Sequence, residues 1–273
     1  MSVIAISRGS LSAATKLANG LSLTLGSAAI TREQVLEAAE RYGVAESGLE
    51  MKHIVAQHPP GFWEKYADAR KHYLACFKAA LFDFVLQGPL IYHGNLAHLL
   101  LNEVPFVLRV RVNAPLENRA EAMMAELGVS RQDAMRRIET IDEERRRWTA
   151  FLYDVYEMDP MHFDIVLNVS RMTIQDGIQM IATALENEQF GRTEEKLRTV
   201  RNIHLATIAQ IRLMSNPDTY GLDLNVEADS SAGKVTVMGR FHTGDAQAIK
   251  EAIFSALVGL DRAKEVEAQV EIG

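Results

Sequence analysis

Apolar residues along this chain follow two rhythms. Short β-branched runs, Pro89 to Tyr92 and Pro105 to Val112, bounded by glycine or proline, and Phe163 to Val169, read as buried strands, and Val3 to Ile6 supplies another strand. Longer stretches carry apolar residues at helical spacing: Leu11 to Leu21, Thr31 to Arg41, Phe62 to Leu86 and Ile174 to Leu185. A parallel crossover needs a helix's length to return to its sheet, so the alternation predicts an α/β domain with helices on both faces of a parallel sheet. Thr31 is placed to cap its helix with Gln34 in the reciprocal position, and Gly43 to stop it. Pro59, Pro60 and Gly61 break the chain before the long helical stretch, whose aromatics Trp63, Tyr66, Tyr73, Phe77, Phe82 and Phe84 read as core filling.

The polar run from Glu186 to Glu195 is the best domain boundary, giving a first domain over 1–186, a linker over 187–195 and a small second domain over 196–273. There, His204 to Leu213 and Asp245 to Leu257 read as helices. Gly221 to Ala228, Lys234 to Phe241 and Lys264 to Ile272 alternate as strands, and Asp229 to Gly233 makes a hairpin-like connection.

The 273 residues are 48% apolar, ample for buried cores, and the net charge of -7 argues against broad attraction to nucleic acid or anionic membrane. With no basic amino-terminal region and no long apolar stretch, the reading is a cytoplasmic protein without a membrane span. Cys76, the only cysteine, excludes an intrachain disulfide and a cysteine-rich metal site, and its apolar surroundings suit packing. Arg136, Arg137, Arg145, Arg146 and Arg147 are interleaved with Glu139, Asp142, Glu143 and Glu144, the pattern of a solvated helix with ion pairs along it.

In phosphoryl-transfer folds a glycine-rich turn after the first strand wraps phosphate oxygens with backbone N–H groups, a lysine neutralises charge and a hydroxyl holds magnesium. The corresponding link runs Ser7, Arg8, Gly9, Ser10, Leu11, Ser12, with a single glycine. Ser10 stands where the lysine belongs and Leu11 where the hydroxyl belongs, so the loop is degenerate. Arg8, Gly9, Ser10 and Ser12 remain the candidate phosphate-binding residues, because a helix amino terminus offers free N–H groups and Arg8 a fork of donors. His93, Gly94 and Asn95 follow a predicted strand at a carboxyl end, where parallel α/β folds place ligands. His93 and His98 have no acidic or cysteine partner nearby in sequence, so a polar turn is the better reading and no metal site is assigned. Gly94 would let a ligand or another backbone approach closely. Asp159, Asp164, Asn168 and Thr173 read as turn and capping residues.

Together these pieces resemble the cytidylate-kinase-like branch of P-loop nucleoside monophosphate kinases over residues 1–186. The resemblance is carried by Gly88 to Gly94, Ala114 to Arg119, Gly128 to Ala134, the spacing Asp142, Arg145, Trp148, and Asp164 to Arg171. It implies a P-loop kinase-like parallel sheet with an arginine-bearing helical lid entered near Pro115. Arg119, Arg145 and Arg146 would act as catalytic arginines over the transferred phosphate, with His93, Gly94 and Asn95 on the acceptor side. It also implies ATP and magnesium if the protein is active. The chain departs from the family where several glycines usually follow the first strand, and where a glycine-arginine-glycine turn usually follows the third. The carboxyl-terminal residues resemble a BON domain, a small α/β module, through Gly233 to Gly239 and the final alternating strand; the resemblance implies a binding role toward a protein or ligand.

Three functions follow as expectations: an ATP-dependent nucleoside monophosphate kinase acting on a CMP-like substrate; a pseudoenzyme with weak or lost transfer that still binds a nucleotide or other phosphate-bearing molecule and regulates through its second domain; or an assembly module that forms a homo-oligomer through residues 196–273.

Overall fold

The four predicted apolar runs, with one further short strand, assemble into a five-stranded, all-parallel sheet in strand order β2-β3-β1-β4-β5. The computed structural model describes residues 2–8, 11–44, 53, 55–156 and 158–272. In chain order the first part contains β1 (Val3–Arg8), α1 (Leu11–Leu25), β2 (Ala28–Thr31), α2 (Arg32–Ala39), α3 (Ala67–Gln87), β3 (Leu90–Gly94) and α4 (Ala97–Leu100). It continues with β4 (Val107–Asn113), α5 (Leu116–Leu127), α6 (Arg131–Tyr153), β5 (Ile165–Asn168) and α7 (Ile174–Ala184). The remainder runs α8 (Glu194–Ser215), β6 (Asn225–Asp229), β7 (Lys234–Phe241), α9 (Ala246–Leu257) and β8 (Glu265–Ile272).

The chain divides into two compact units. One comprises Met1–Val35, Glu50–Trp63 and Gln87–Arg192, the other Leu36–Leu49, Glu64–Leu86 and Thr193–Gly273. Among the described residues no helix is long and apolar enough to cross a membrane.

The period of two along the strands sorts their side chains between the faces of the large sheet. Ile4 and Ile6 of β1, Ile91 of β3, Leu108, Val110 and Val112 of β4 and Leu167 of β5 share a core with Leu17 and Leu21 of α1 and Ile178 and Ile181 of α7. Glycine lets these two helices approach closely: a Cβ at Gly20 would lie 2.4 Å from Ile178 Cδ1. Alternation turns Ser7, Gly94, Arg109 and Arg111 to the opposite face, where α4 packs on β1, β3 and β4. Helices therefore cover both faces, as expected.

Strand β2 has no counterpart among the predicted runs, since its four residues are too few to show a period. β4 starts at Val107, two residues later than the apolar run that predicts it. The long helical stretch splits into a 3-10 segment, Pro60–Tyr66, and α3, whose Tyr73, Phe77 and Phe82 are buried. Trp63 is buried too, in keeping with core filling. The Thr31–Gln34 reciprocal cap forms, with Thr31 N–H donating to Gln34 Oε1 at 2.9 Å and Gln34 N–H to Thr31 Oγ1 at 3.4 Å. Gly43, at φ 79°, closes the following 3-10 turn in a left-handed conformation that glycine adopts without a Cβ penalty.

In the second unit β6 pairs antiparallel with β7, and β7 parallel with β8. Val235, Val237, Leu205, Leu213, Ile253 and Leu257 lie in its core. The hairpin at Asp229 forms, its Oδ1 accepting from the N–H groups of Ser231 and Ala232. Two elements differ from expectation. The helix predicted from His204 begins ten residues earlier at Glu194, under a Thr193 cap, because the polar Glu194 to Arg198 turn is its exposed start. The strand predicted from Gly221 begins at Asn225, since Gly221, at φ 77°, sits in a turn.

Candidate functional site at the carboxyl edge of the sheet

Because all five strands of the large sheet run the same way, their carboxyl ends share one edge. Register places Ser7 of β1 beside Gly94 of β3 on one side and Arg111 of β4 on the other. These residues, far apart in sequence, form one lateral row on the face covered by α4. Ser7 and Arg111 are both buried.

Ser7 Oγ lies 2.7 Å from His98 Nδ1 and accepts from the His98 backbone N–H at 3.3 Å. The His98 ring is buried against Phe163, centroids 4.3 Å apart, with the His162 ring 6.0 Å away. Arg111 completes the group: its guanidinium lies 5.6 Å from the Phe163 centroid and its Nε donates to Asn113 Oδ1 at 2.8 Å. Burial foremost, then the charges of His162, Arg111 and Arg109, push the His98 pKa down to about 3, so its imidazole is neutral at physiological pH. Arg109 is clasped by Asp164, which accepts from Nη2 at 2.7 Å and from Nε at 3.1 Å.

The sequence-predicted residues fall into three groups. In the first, Arg8 ends β1 beside Val112 and Ser12 lies in the first turn of α1, while Gly9 and Ser10 lie outside the described residues. In the second, His93, Gly94 and Asn95 sit at the end of β3 and in the turn after it, with His93 buried. Alternation puts His93 on the same face as Ile91, whereas His98 reaches Ser7 on the other, so the two histidines do not converge on one ion. Among the described residues, no three histidine, cysteine, aspartate or glutamate side chains gather as metal ligands. The room at Gly94 is taken by the chain itself: a Cβ there would lie 2.6 Å from Tyr92 Oη and 2.9 Å from Tyr92 Cζ. Gly94 thus accommodates the Tyr92 ring.

The third group lies on the α5–α6 hairpin, which starts three residues beyond β4 and has a small core of its own from Ala120, Ala134 and Ile138. Arg119, one turn into α5, is held by Asp142 of α6 through two parallel hydrogen bonds of 2.7 Å. Arg146 is exposed and paired with Glu143 through bonds of 2.9 and 2.6 Å, and Arg145 is half-buried. Both stand about four turns from the start of α6. Arg147 donates to the His58 carbonyl, and Phe151 meets the Trp63 ring edge-on at 5.5 Å, so the far half of α6 is anchored to the segment before α3.

Sequence reasoning did not assign Arg111, or the Ser7–His98 pair, to the site. One signal was present: basic residues at alternate positions of an otherwise apolar strand, Arg109 and Arg111, mark one face as polar. The Ser7–His98 contact joins residues 91 positions apart and leaves no trace in spacing.

The model of the Cytidylate kinase-like family matches residues 3–171. The chain belongs to the cytidylate kinase-like family. A relative described as cytidylate kinase, from Pyrobaculum aerophilum, is 25% identical to this family member over 139 residues, spanning 50% of this chain and 75% of its own. An uncharacterized protein from Eubacterium ventriosum superposes with a TM-score of 0.50 at 17% identity, over 68% of this chain and 98% of its own, and shares the fold. In this cytidylate kinase-like chain the match spans the large sheet, the α5–α6 hairpin and the row at the carboxyl edge.

Proposed function

We propose that this protein binds a nucleotide or a related phosphate-bearing molecule at the carboxyl edge of its parallel sheet and that phosphoryl transfer there is weak or lost. The observation that carries the reading is the buried Arg111 guanidinium beside Ser7, a fixed positive charge in a chain that has serine and leucine at the lysine and hydroxyl positions of the turn. Guanidinium suits phosphate recognition through its planar fork of donors. Removing a preorganised charge-stabilising group from a catalytic site commonly costs about a hundred- to a thousandfold in rate, so binding without the lysine outlasts catalysis. The pairing of Arg119 with Asp142 and of Arg146 with Glu143 points the same way: either arginine must leave a carboxylate before it can close over a phosphate.

The second reading is an active ATP- and magnesium-dependent kinase for a CMP-like acceptor, favoured by the likeness to the Pyrobaculum aerophilum protein. In that case Arg119, Arg145 and Arg146 form the lid and His93, Gly94 and Asn95 the acceptor side. In both readings the carboxyl-terminal module, resembling a BON domain in the order α8-β6-β7-α9-β8, binds a protein or ligand partner and conveys the state of the first.

Calorimetric titration of the full chain with ATP and with each nucleoside monophosphate, alongside an assay for diphosphate formation in ATP and magnesium, tests both. Heat of binding with little or no diphosphate is expected. Steady turnover abolished by Arg145→Ala would establish the kinase instead, and absence of heat with every nucleotide would defeat both readings.

A further inference from the structure

The Ser7–His98 pair carries an assignment that the proposed function does not use. The Ser7 hydroxyl has one proton and accepts from the His98 backbone N–H; among the described residues, the acceptor within reach of that proton is His98 Nδ1, at 2.7 Å. A hydroxyl buried away from water keeps its proton bonded, because a buried donor left without an acceptor loses its hydration with nothing in return. Nδ1 is therefore the acceptor, and the neutral ring carries its proton on Nε2. The opposite tautomer would leave two orphans, the serine proton and the Nε2 lone pair, where this one leaves a single N–H.

That remaining N–H is the unusual feature. His98 is 2% exposed, its Nε2 is fully shielded from solvent, and it has no hydrogen-bond partner among the described residues. Buried polar groups are satisfied in the great majority of cases, and a donor that is not points to an absent acceptor. The ring is held by its tilted contact with Phe163 and by the bond to Ser7, so the donor is fixed in direction. Arg111 and Arg109 are close enough to disfavour a positive charge on the ring, and they would favour a negative charge beside it.

We propose that His98 is a ligand-binding residue whose Nε2–H donates a hydrogen bond to an anionic phosphoryl oxygen seated beside Arg111, with Ser7 as the positioning residue that fixes the donating tautomer. A neutral donor next to a guanidinium stabilises an anion without adding a second repelling cation, and so takes over part of the work of the absent lysine. This inference rests on the nucleotide-binding reading and names the group that touches the phosphate.

The test uses the full chain labelled with 15N-histidine, with the His98 signals identified by their loss in His98→Gln. Long-range 1H–15N spectra are expected to place the ring proton on Nε2, and addition of CMP or of ATP with magnesium to shift that nitrogen saturably. An inorganic phosphate titration separates a nucleotide's phosphate from free phosphate as the source of the shift. His98→Leu, which keeps the volume and removes the donor, should weaken binding about tenfold, equivalent to about 1.4 kcal/mol. His98→Gln offers an N–H at similar reach and should stay within about threefold of the parent, as expected when the hydrogen bond itself is what matters. A proton found on Nδ1, or nucleotide binding with an unmoved Nε2 signal, overturns the role of His98 while leaving the binding reading intact. Absence of binding by every probe defeats that reading, and this inference with it.

Discussion

Single side chains decide what can occupy the carboxyl edge. Gly94 is a case where the residue type follows from its own strand: the Tyr92 ring lies over it, so Gly94→Ala forces a Cβ to within 2.6 Å of Tyr92 Oη. The expected result is a loss of about 1–3 kcal/mol in urea denaturation, typical of overpacking, and Tyr92→Phe should relieve it only in part because Cζ remains at 2.9 Å. Asp164 gives a pH dependence. Burial pushes its carboxyl pKa up, but the Arg109 hydrogen bonds and charge outweigh burial and hold it below the usual range. A carboxylate depressed in the folded state contributes stability that is present above its unfolded value of about 3.9 and fades as pH falls through the folded value. The gap in denaturation midpoint between the parent and Asp164→Asn should therefore be widest near neutrality and close at the acid end. Histidine 98 itself could be read from the sequence only as a turn residue; its chemistry depends on Ser7, and no local pattern joins the two.

At the scale of elements, periodicity and capping were the legible part. The four short apolar runs are strands because β-branched residues suit a pleat, although β5 is buried fully only at Leu167, and Thr173 caps α7 in a reciprocal box with Asp176. Thr173→Ala should cost about 1 kcal/mol, measured by chemical denaturation. The hairpin of α5 and α6 depends less on pattern than on one pair: Arg119, mostly shielded, is held by both oxygens of Asp142. Asp142→Ala leaves that guanidinium without its carboxylate and should destabilise the hairpin by about 1 kcal/mol, seen as faster amide exchange in α5 than in the sheet. If Arg119 instead serves a bound nucleotide, the same variant should tighten binding by releasing it, a sign that calorimetry can read. The start of α8 and the presence of β2 were not legible, because exposed polar turns and four-residue strands carry too few apolar positions to register a period.

At the scale of the molecule, sequence neighbours are not always fold neighbours. The second unit is built from three separate stretches, and a polar group fastens them: Asp83 of α3 accepts from Tyr42 Oη at 2.7 Å, lies 3.2 Å from His204 Nε2 of α8, and pairs with Arg41. His72 and Ser215 add a bond of 3.2 Å between the same two helices. Cys76, its thiol pushed up to about 12 by burial, donates to the Tyr42 carbonyl at 3.1 Å, a packed and inert position. A chain cut after Arg192 would strip α8 and the small sheet from α3, whose Tyr73, Phe77, Leu81 and Phe82 are buried in the full protein. Such a fragment should bind a hydrophobic dye and aggregate instead of yielding a free kinase-like domain. A fragment that stays monomeric with cooperative unfolding would contradict this.

The amino-acid sequence by itself determined the alternation of strands and helices, the caps that begin two of the helices, the parallel character of the large sheet and the single glycine in the turn after its first strand. These are local or periodic properties, written within a dozen residues and enforced by backbone sterics and the burial of one face. Only the tertiary structure decided that Ser7, Gly94 and Arg111 share a row, that the His98 ring meets Ser7 there, that Arg119 is held by Asp142, and that residues 36–49 and 64–86 join the carboxyl-terminal unit. Each depends on register or packing between segments far apart in the chain, where the free energy lies in the meeting of side chains and not in either segment alone.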